Sequence, residues 1–589
     1  MLLARFVSSS RAALVARGGG SVVVTTELSK ESKVGDDFSG VSPFKIYQGS
    51  GDAFSSLHAH GHSSGTVRFF SGIRNIPHDE ALKYMSLLKK ANSTEAIYIL
   101  EGIERDGFIP NVYHYNKVIS KCAKDGKLSE AKKVFNQMKH KKVLPNEITF
   151  NSLIDACAKI GNDEEAIRYL REMEEKHELW PNAVSYNSAI SACEKASNWE
   201  KAIGLLHEMQ SSGITPDVIS FSSAISACEK GGQTEQALEL LIEMEDRGIE
   251  ANEVTFSAAI SACEKGGSSY ADQALALFDE MCNREIWPDA IAYSAAISAC
   301  EKGGADYTDI ALQLFEEMKG FGVKPTVITY SAAISACEKG GADYTGTALA
   351  LFDEMKAYDI EPTEITYNAT ISACEKGGAN YTRTALGLFE ELTEKGTSPD
   401  VVTFTALISS CGKGGSKYVG DAMKHFDNMK RLGIEPNDIT YRAITKTCFD
   451  NKRYPEALEK VEEAIPRGFF PPLIGNANVW DLHGMREAEA CMLVAGALIS
   501  SVDTAYFKDI ILITGKGKTS LELRGEGPVL QAKVPAFIRD VAVLELTEQI
   551  KHGVVNEGAF IITKRALKKW AKSDDYIRFW ALMTGKEKE

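Results

Sequence analysis

Ten cysteines recur at one place along the chain: Cys122, Cys157, Cys193, Cys228, Cys263, Cys300, Cys337, Cys374, Cys411 and Cys448. Their spacings are 35, 36, 35, 35 and then 37 five times over. A fixed period of this size marks an array of one supersecondary unit, in which no unit buries its apolar face alone and each covers its neighbour. It also accounts for a length of 589 residues, too many for a single core. With one thiol per period and no second ligand at metal-binding spacing, neither a zinc site nor a disulfide framework fits. The cysteines are expected to be small buried packing residues.

Residues 253–289 form one unit, and residues 290–326 repeat it almost position for position. Phe256, Ile260 and Cys263 follow the i, i+4, i+7 pattern, and Ala274, Leu277, Phe278 and Met281 repeat it. Each unit is therefore predicted to be two amphipathic helices of about three turns. Gly266 and Gly267 are expected to reverse the chain after the first helix, glycine accepting the left-handed backbone a helix end often needs. Pro288 closes the unit. Stacked hairpins of this kind make a mostly α-helical solenoid whose inner surface carries the first helices, a shape suited to extended ligands.

Composition limits what such a ligand can be. Acidic residues number 81 against 66 basic ones, for a net charge of −15, so the surface as a whole does not suit nonspecific binding of polyanions. The acidic excess lies upstream of Trp480. No run of about 18 apolar residues occurs, so no membrane partner is expected.

The first 26 residues carry Arg5, Arg11, Arg17 and the serines Ser8, Ser9 and Ser10, with no acidic residue before Glu27. They resemble an organelle transit peptide, for a mitochondrion or a plastid. A secretory signal fits less well, because the apolar run from Ala12 to Ala16 stops at Arg17. Residues 27–75 mix Gly, Ser and His without periodicity and are expected to be linker. Within them His58, His60 and His62 alternate, but a linker would have to be ordered at large entropic cost to offer them to a metal.

The units end in Pro-Asp, Pro-Asn or a close variant, and those starting at 218, 327 and 401 open on V-x-[TS]-[YF]-[NST]. In this the array resembles the pentatricopeptide-repeat (PPR) family. Nine units span residues 112–437, a weaker capping unit spans 438–472, and a degenerate one spans 76–111. The tetratricopeptide repeat, a peptide-binding relative, has a Trp/Leu-Gly/Tyr signature that is absent here. The resemblance implies a right-handed α-solenoid that reads single-stranded RNA one base per unit, and it points to no certain cofactor. Bases can be read in this way because a single strand exposes their pairing edges.

In the family, the fifth and last residues of a unit do the reading. Carried over, Asn116 with Asn146 and Asn151 with Asn182 resemble pyrimidine readers, while Asn187 with Asp217 and Asn368 with Asp400 resemble uracil readers. Ser222 with Asn252 and Thr405 with Asn437 resemble adenine readers, and Ser257 with Asp289 a guanine reader. Ser294 with Thr326 and Ser331 with Thr363 fall outside the familiar combinations, and Arg442 with Pro472 suits a cap. The implied target, 5′ to 3′, is Y-Y-U-A-G-N-N-U-A. An aliphatic second residue is expected to wedge between bases: Ile148, Val184, Ile219, Val254, Ile291, Ile328, Ile365 and Val402, with Tyr113 in its place in the first unit.

The residues themselves point to a site for phosphates. Two positions after each of nine array cysteines stands a lysine: Lys124, Lys159, Lys195, Lys230, Lys265, Lys302, Lys339, Lys376 and Lys413. A row of this kind is expected to form a cationic stripe that follows an RNA backbone; the alternative is that each lysine only complements its helix dipole. Five units carry an insertion before the second helix with a recurrent tyrosine, Tyr270, Tyr307, Tyr344, Tyr381 and Tyr418, expected to pack as a staple rather than to stack on bases.

After Pro471-Pro472 the period stops. A strand end at 479–484, a helix at 485–500 and a buried strand at 509–514 predict a small α/β module. The run Asp-Leu-His-Gly at 481–484, together with Gly-Lys-Gly-Lys-Thr-Ser at 515–520, resembles the small-MutS-related (SMR) domain over residues 479–564. The loop lacks the spacing of an ATP-binding P-loop. Some members of that domain family cleave RNA, and the resemblance would then put Asp481 and His483 at the catalytic position, Lys516 and Lys518 on the backbone, and a divalent metal there if cleavage needs one; the alternative is an inactive nucleic-acid grip in which Asp481 and His483 fix the strand-to-helix turn. Thr519 stands where the domain family commonly has histidine. The basic tail at 565–589, with Arg565, Lys568, Lys569, Trp570 and Lys572, is read either as added electrostatic grip or as a solvated face.

Overall fold

The computed structural model describes residues 74–75, 78–470, 479–482, 485–505, 507–514, 529–551 and 554–587. The leader, His58, His60, His62, Pro471, Pro472, His483, Lys516, Lys518 and Thr519 lie outside them.

Helical hairpins fill residues 78–464. The first pair, His78–Lys90 and Ser93–Arg105, is flanked by β1 (Arg74–Asn75) and β2 (Phe108–Ile109), which pair as a two-residue parallel ladder. From there the first helix of every unit opens on the unit's first residue, at Val112–Lys124, Glu147–Ile160, Ala183–Lys195, Val218–Lys230, Glu253–Gly266, Ala290–Gly303, Val327–Gly340, Glu364–Gly377, Val401–Lys413 and Asp438–Asp450. The local cause is the residue before it. Asn, Asp or Thr at the end of each preceding unit caps the helix, its side-chain oxygen accepting the backbone N–H of the helix's third residue, as Asn146 does from Thr149 at 3.2 Å. In most units that third residue returns the bond with its hydroxyl, closing a capping box.

Consecutive first helices pack side by side, and each second helix covers the seam between its own first helix and the next. Edge-to-face aromatic pairs repeat along that seam: Phe278 with Tyr293 at 5.0 Å, Phe315 with Tyr330 at 5.0 Å and Phe352 with Tyr367 at 5.2 Å between ring centres. The tyrosine hydroxyls reach a carboxylate on the second helix of their own unit, Tyr330 to Glu354 at 2.9 Å and Tyr367 to Glu391 at 2.8 Å. The ten array cysteines are buried, and burial pushes their thiols up, to about 11 at Cys263 and about 12 at Cys300. They are unreactive packing residues.

The paired glycines divide the work that both were expected to share. Gly267, Gly304, Gly341 and Gly378 take the left-handed backbone, Gly267 with φ of 87°. The glycine before each is helical and is required by space: a Cβ on Gly340 would come within 2.6 Å of the Tyr344 ring and 2.7 Å of the Thr308 hydroxyl. A short 3-10 turn carries each inserted tyrosine, and three of them hydrogen-bond an acidic residue at the start of the previous unit's second helix, Tyr270 to Glu235, Tyr307 to Asp272 and Tyr344 to Asp309.

Downstream, β3 (Val479–Asp481), β4 (Ile510–Ile513), β5 (Thr547–Lys551) and β6 (Val554–Ile562) form a sheet of order β3-β4-β6-β5, with β3 and β4 parallel and the other pairs antiparallel. Helices Glu487–Asp503 and Val529–Asp540 lie between the strands in sequence. The sheet region has no core of its own, because Trp480, Leu498, Leu512 and Ile538 join Tyr441, Leu458 and Val461 of the last hairpin in one apolar cluster. Arg442, itself part-exposed, adds an ion pair there, its guanidinium 2.7 Å from the buried Glu489 carboxylate. The basic tail is structural as well. Its helices Lys564–Trp570 and Asp574–Thr584 bury Leu567, Trp570, Tyr576, Phe579 and Met583 in the same cluster, and the Trp570 indole N–H donates to the Ala542 carbonyl at 2.6 Å.

Candidate nucleic-acid interface

The last residue of each unit is the N-cap of the next first helix, so the cap geometry that starts the helix also fixes where the second member of each expected pair stands. The fifth residue stands one turn into its own helix, beside the following unit's cap. In three units the two side chains touch: Asn116 Nδ2 donates to Asn146 Oδ1 at 2.8 Å, Asn187 Nδ2 to Asp217 Oδ1 at 3.0 Å, and Ser257 Oγ to Asp289 Oδ1 at 3.4 Å. Elsewhere a third residue joins them. Ser185 Oγ donates to Asn151 Oδ1 at 2.6 Å and lies 3.2 Å from Asn182 Oδ1. Thr255 links Ser222 to Asn252 in the same way, at 2.6 and 2.9 Å, and Thr440 links Thr405 to Asn437, at 2.8 and 2.9 Å. Thr329 joins Ser294 to Thr326, Thr366 joins Ser331 to Thr363, and Thr403 joins Asn368 to Asp400. All nine pairs named from the sequence are thus brought together.

The hydrogen-bond inventory then says what each pair can offer outward. With its Oδ1 taking the Ser220 hydroxyl at 2.6 Å, Asn187 has only N–H to present, whereas Asp217 keeps its second oxygen as an acceptor. Burial opposes ionisation of Asp217, but bonds from the Ser220 N–H and hydroxyl, the Asn187 amide and the Ile219 N–H outweigh it and hold the carboxyl below the usual range. A donor beside an ionised acceptor complements the O4 and N3–H edge of uracil. In the Asn116–Asn146 pair both oxygens are engaged and only N–H groups remain, which suits the acceptor edge of a pyrimidine. Ser222 gives its proton to the Val218 carbonyl at 2.6 Å and keeps a lone pair, while the Asn252 amide supplies N–H, a pattern that fits adenine N6–H and N1. Thr326 and Thr363 have one polar atom each, already engaged by the cap, so their units have no base-edge pattern to offer.

Beside each pair stands an exposed aliphatic side chain at the helix's second position. Exposure of the eight wedge residues runs from 53% at Val402 to 67% at Ile365, and Tyr113 and Ile439 extend the row at both ends. Ile439, in the weak tenth unit, is a member of the row not picked out from the sequence. An exposed apolar row in register with polar pairs is a surface on which unstacked bases can lie.

The lysine row is not the bare cationic stripe expected. From the fourth lysine onward most of the row is paired with the glutamate one repeat back: Lys230 with Glu194 at 2.7 Å, Lys265 with Glu229 at 2.6 Å, Lys376 with Glu338 at 2.5 Å, Lys413 with Glu375 at 2.6 Å, and Lys302 with Glu264. Lys302, Lys376 and Lys413 also donate to the backbone carbonyl of that glutamate. Lys339 turns to Glu338 of its own helix. Each of the paired glutamates directly precedes the lysine of its own unit, but the sequence does not show which lysine it meets. Lys124, Lys159 and Lys195 form no ion pair among the described residues; for Lys159 and Lys195 the position one repeat back is Ala123 and Ala158, not a glutamate.

Comparison with known proteins decides what this repeat is. A PPR repeat family matches residues 110–159 and 181–230, a PPR repeat matches 148–177, the pentacotripeptide-repeat region of PRORP matches 217–382, and the pentatricopeptide repeat domain matches 383–451. The solenoid is an array of pentatricopeptide repeats. No curated protein matches the chain. Among solved structures, maize PPR10 in complex with an 18-nt psaJ RNA element is 20% identical over 77% of this chain and 65% of its own, with a TM-score of 0.48. The PPR domain of Arabidopsis thaliana PRORP1 in complex with tRNA is 22% identical over 30% of this chain and 92% of its own, at 0.27. Yeast Rmd9p with a 16-nt target RNA is 12% identical over 79% and 94%, at 0.28. The chain thus spans 65% of the length of PPR10.

The matched segments end at residue 451, so the sheet region lies outside them. There Asp481 ends β3, paired in register with Ile513 of β4, and the loop expected to carry Lys516 and Lys518 would follow β4. Among the described residues no group of three His, Cys, Asp or Glu could hold a metal, and no helix is long and apolar enough to cross a membrane. Arg442, at the fifth position of the tenth unit, is committed to Glu489.

Proposed function

We propose that the PPR array binds single-stranded RNA sequence-specifically, one nucleotide per unit, in organellar RNA processing. One observation carries this: nine polar pairs at helix N-caps, seven of them with a donor and acceptor pattern to offer, stand beside a row of exposed aliphatic side chains. A peptide-binding scaffold gives no reason for the pairs to vary while everything around them repeats. Lys124, Lys159 and Lys195 are the cations available to phosphates, at the end of the array that meets the 5′ side of the target. The leader with Arg5, Arg11 and Arg17 supports delivery to a mitochondrion or plastid.

The finer reading adds cleavage by an SMR domain, with Asp481 and His483 in catalysis and Lys516 and Lys518 on the backbone. Its support is the Asp-Leu-His-Gly run at the end of β3 and the glycine-lysine loop after β4. The competing reading is a binding protein that protects or remodels transcripts. Labelled RNA carrying Y-Y-U-A-G-N-N-U-A, incubated with the full chain and with His483→Ala, separates them. Cleavage lost in the variant supports the endonuclease, intact RNA bound by both supports protection, and no sequence-dependent binding at moderate salt removes both.

A further inference from the structure

Between the fifth residue of one unit and the cap of the next lies a buried hydroxyl that the reading pair does not include. It belongs to the third residue of the following first helix: Thr149, Ser185, Ser220, Thr255, Thr403 and Thr440 are all fully buried. It has one proton and two neighbouring side-chain oxygens, on the fifth residue and on the cap. In the asparagine units the fifth residue is the nearer, at 2.6 Å for Thr149 to Asn116 against 3.1 Å to Asn146, and at 2.6 Å for Ser220 to Asn187 against 3.0 Å to Asp217. The cap backbone N–H takes one of the hydroxyl's two lone pairs, as in Asp217 N–H to Ser220 Oγ at 3.1 Å. In the asparagine units the proton therefore goes to the nearer oxygen, that of the fifth residue.

We propose that this third-position hydroxyl is a positioning residue for base recognition, which sets the flip of the fifth-residue amide and so decides that N–H rather than C=O faces the RNA. The inference rests on the reading of the array as an RNA binder. An amide with its oxygen pinned inward presents a donor. Released, it rotates freely between donor and acceptor, and a unit offering both no longer separates uracil from cytosine. Dependence on the hydroxyl differs between units. Asn187 is held twice, by Ser220 and by its bond to Asp217. Asn368 is held by Thr403, and its contact with Asp400 runs through that hydroxyl. Unit 253–289 stands apart, since the third residue after it is Ala292; there Ser257 reaches Asp289 directly, at 3.4 Å. Ala292 also shows that alanine at this position is compatible with the fold.

The test is the ratio of binding constants of the full chain for two oligonucleotides that differ only in U or C at the eighth nucleotide, facing Asn368 and Asp400. Thr403→Ala should lower the uracil preference about tenfold, the worth of one oriented hydrogen bond. Thr403→Ser should restore it, and Ser220→Ala should change the preference at the third nucleotide less. A merely structural role for Thr403 would weaken both oligonucleotides equally and leave the ratio untouched, which overturns the inference. Asp400→Asn is the control. If it shifts the ratio while Thr403→Ala does not, only the hydroxyl's role is refuted; if neither shifts it, the base-reading function itself fails.

Discussion

Replacing Asp217 by asparagine should convert the third unit from a uracil to a cytosine reader, and the structure sets the size of the effect. Asp217 uses Oδ1 for the helix cap, taking the Ser220 and Ile219 N–H groups at 2.9 and 3.0 Å and the Asn187 amide. Asparagine does the same capping job at 146 and 182, so Asp217→Asn keeps the helix start and the fold. What changes is the outward atom: an ionised acceptor becomes an N–H donor. Against uracil, a charge-assisted bond to N3–H is lost and two donors oppose each other; against cytosine, whose N3 accepts, a bond is gained. A bond to a charged group contributes about 1.5–3 kcal/mol, so the uracil-to-cytosine preference should shift by about 2 kcal/mol, roughly thirtyfold. Fluorescence anisotropy with nine-nucleotide RNAs carrying U or C at the third position measures this. An unchanged ratio, with unchanged melting, would refute the assignment of outward atoms.

Other perturbations probe different parts of the molecule. Arg442→Ala strands the buried Glu489 carboxylate and should cost about 3–5 kcal/mol, read as a lower denaturation midpoint and faster hydrogen exchange in helix Glu487–Asp503. Gly340→Ala forces a Cβ against Tyr344 and Thr308 and should destabilise by about 1–3 kcal/mol, whereas Gly387→Ala, with open space around it in mid-helix, should stabilise by up to about 1 kcal/mol, both read by thermal melting. Lys159→Ala should flatten the salt dependence of RNA binding by about 0.7 in slope, while Lys302→Ala, whose charge is matched by Glu264, should leave the slope nearly unchanged. Arg171, 2.5 Å from the Glu208 carboxylate, holds that carboxyl below its ordinary 4.5 despite burial. Its stabilising contribution is therefore full above pH 4.5 and is lost as pH falls through the lower folded value, and Glu208→Gln should flatten that part of the acid-unfolding curve.

The sequence alone determined the period, the two helices per unit and the cap residue that starts each first helix. These are local properties: the cap residue, the apolar spacing and the helix that follows lie within a few positions of each other. Tertiary structure decided whatever depends on the neighbouring unit. Lys302 reads as a free cation until Glu264, 38 residues earlier, is brought against it by the stacking of first helices. Thr403 reads as an ordinary capping-box residue until the same stacking places it on Asn368. The basic tail with Lys568 and Lys569 reads as a solvated arm, yet Trp570 and Phe579 carry it into a core shared with the last hairpin. Packing partners separated by a whole period leave no short-range pattern, so only the folded array shows them.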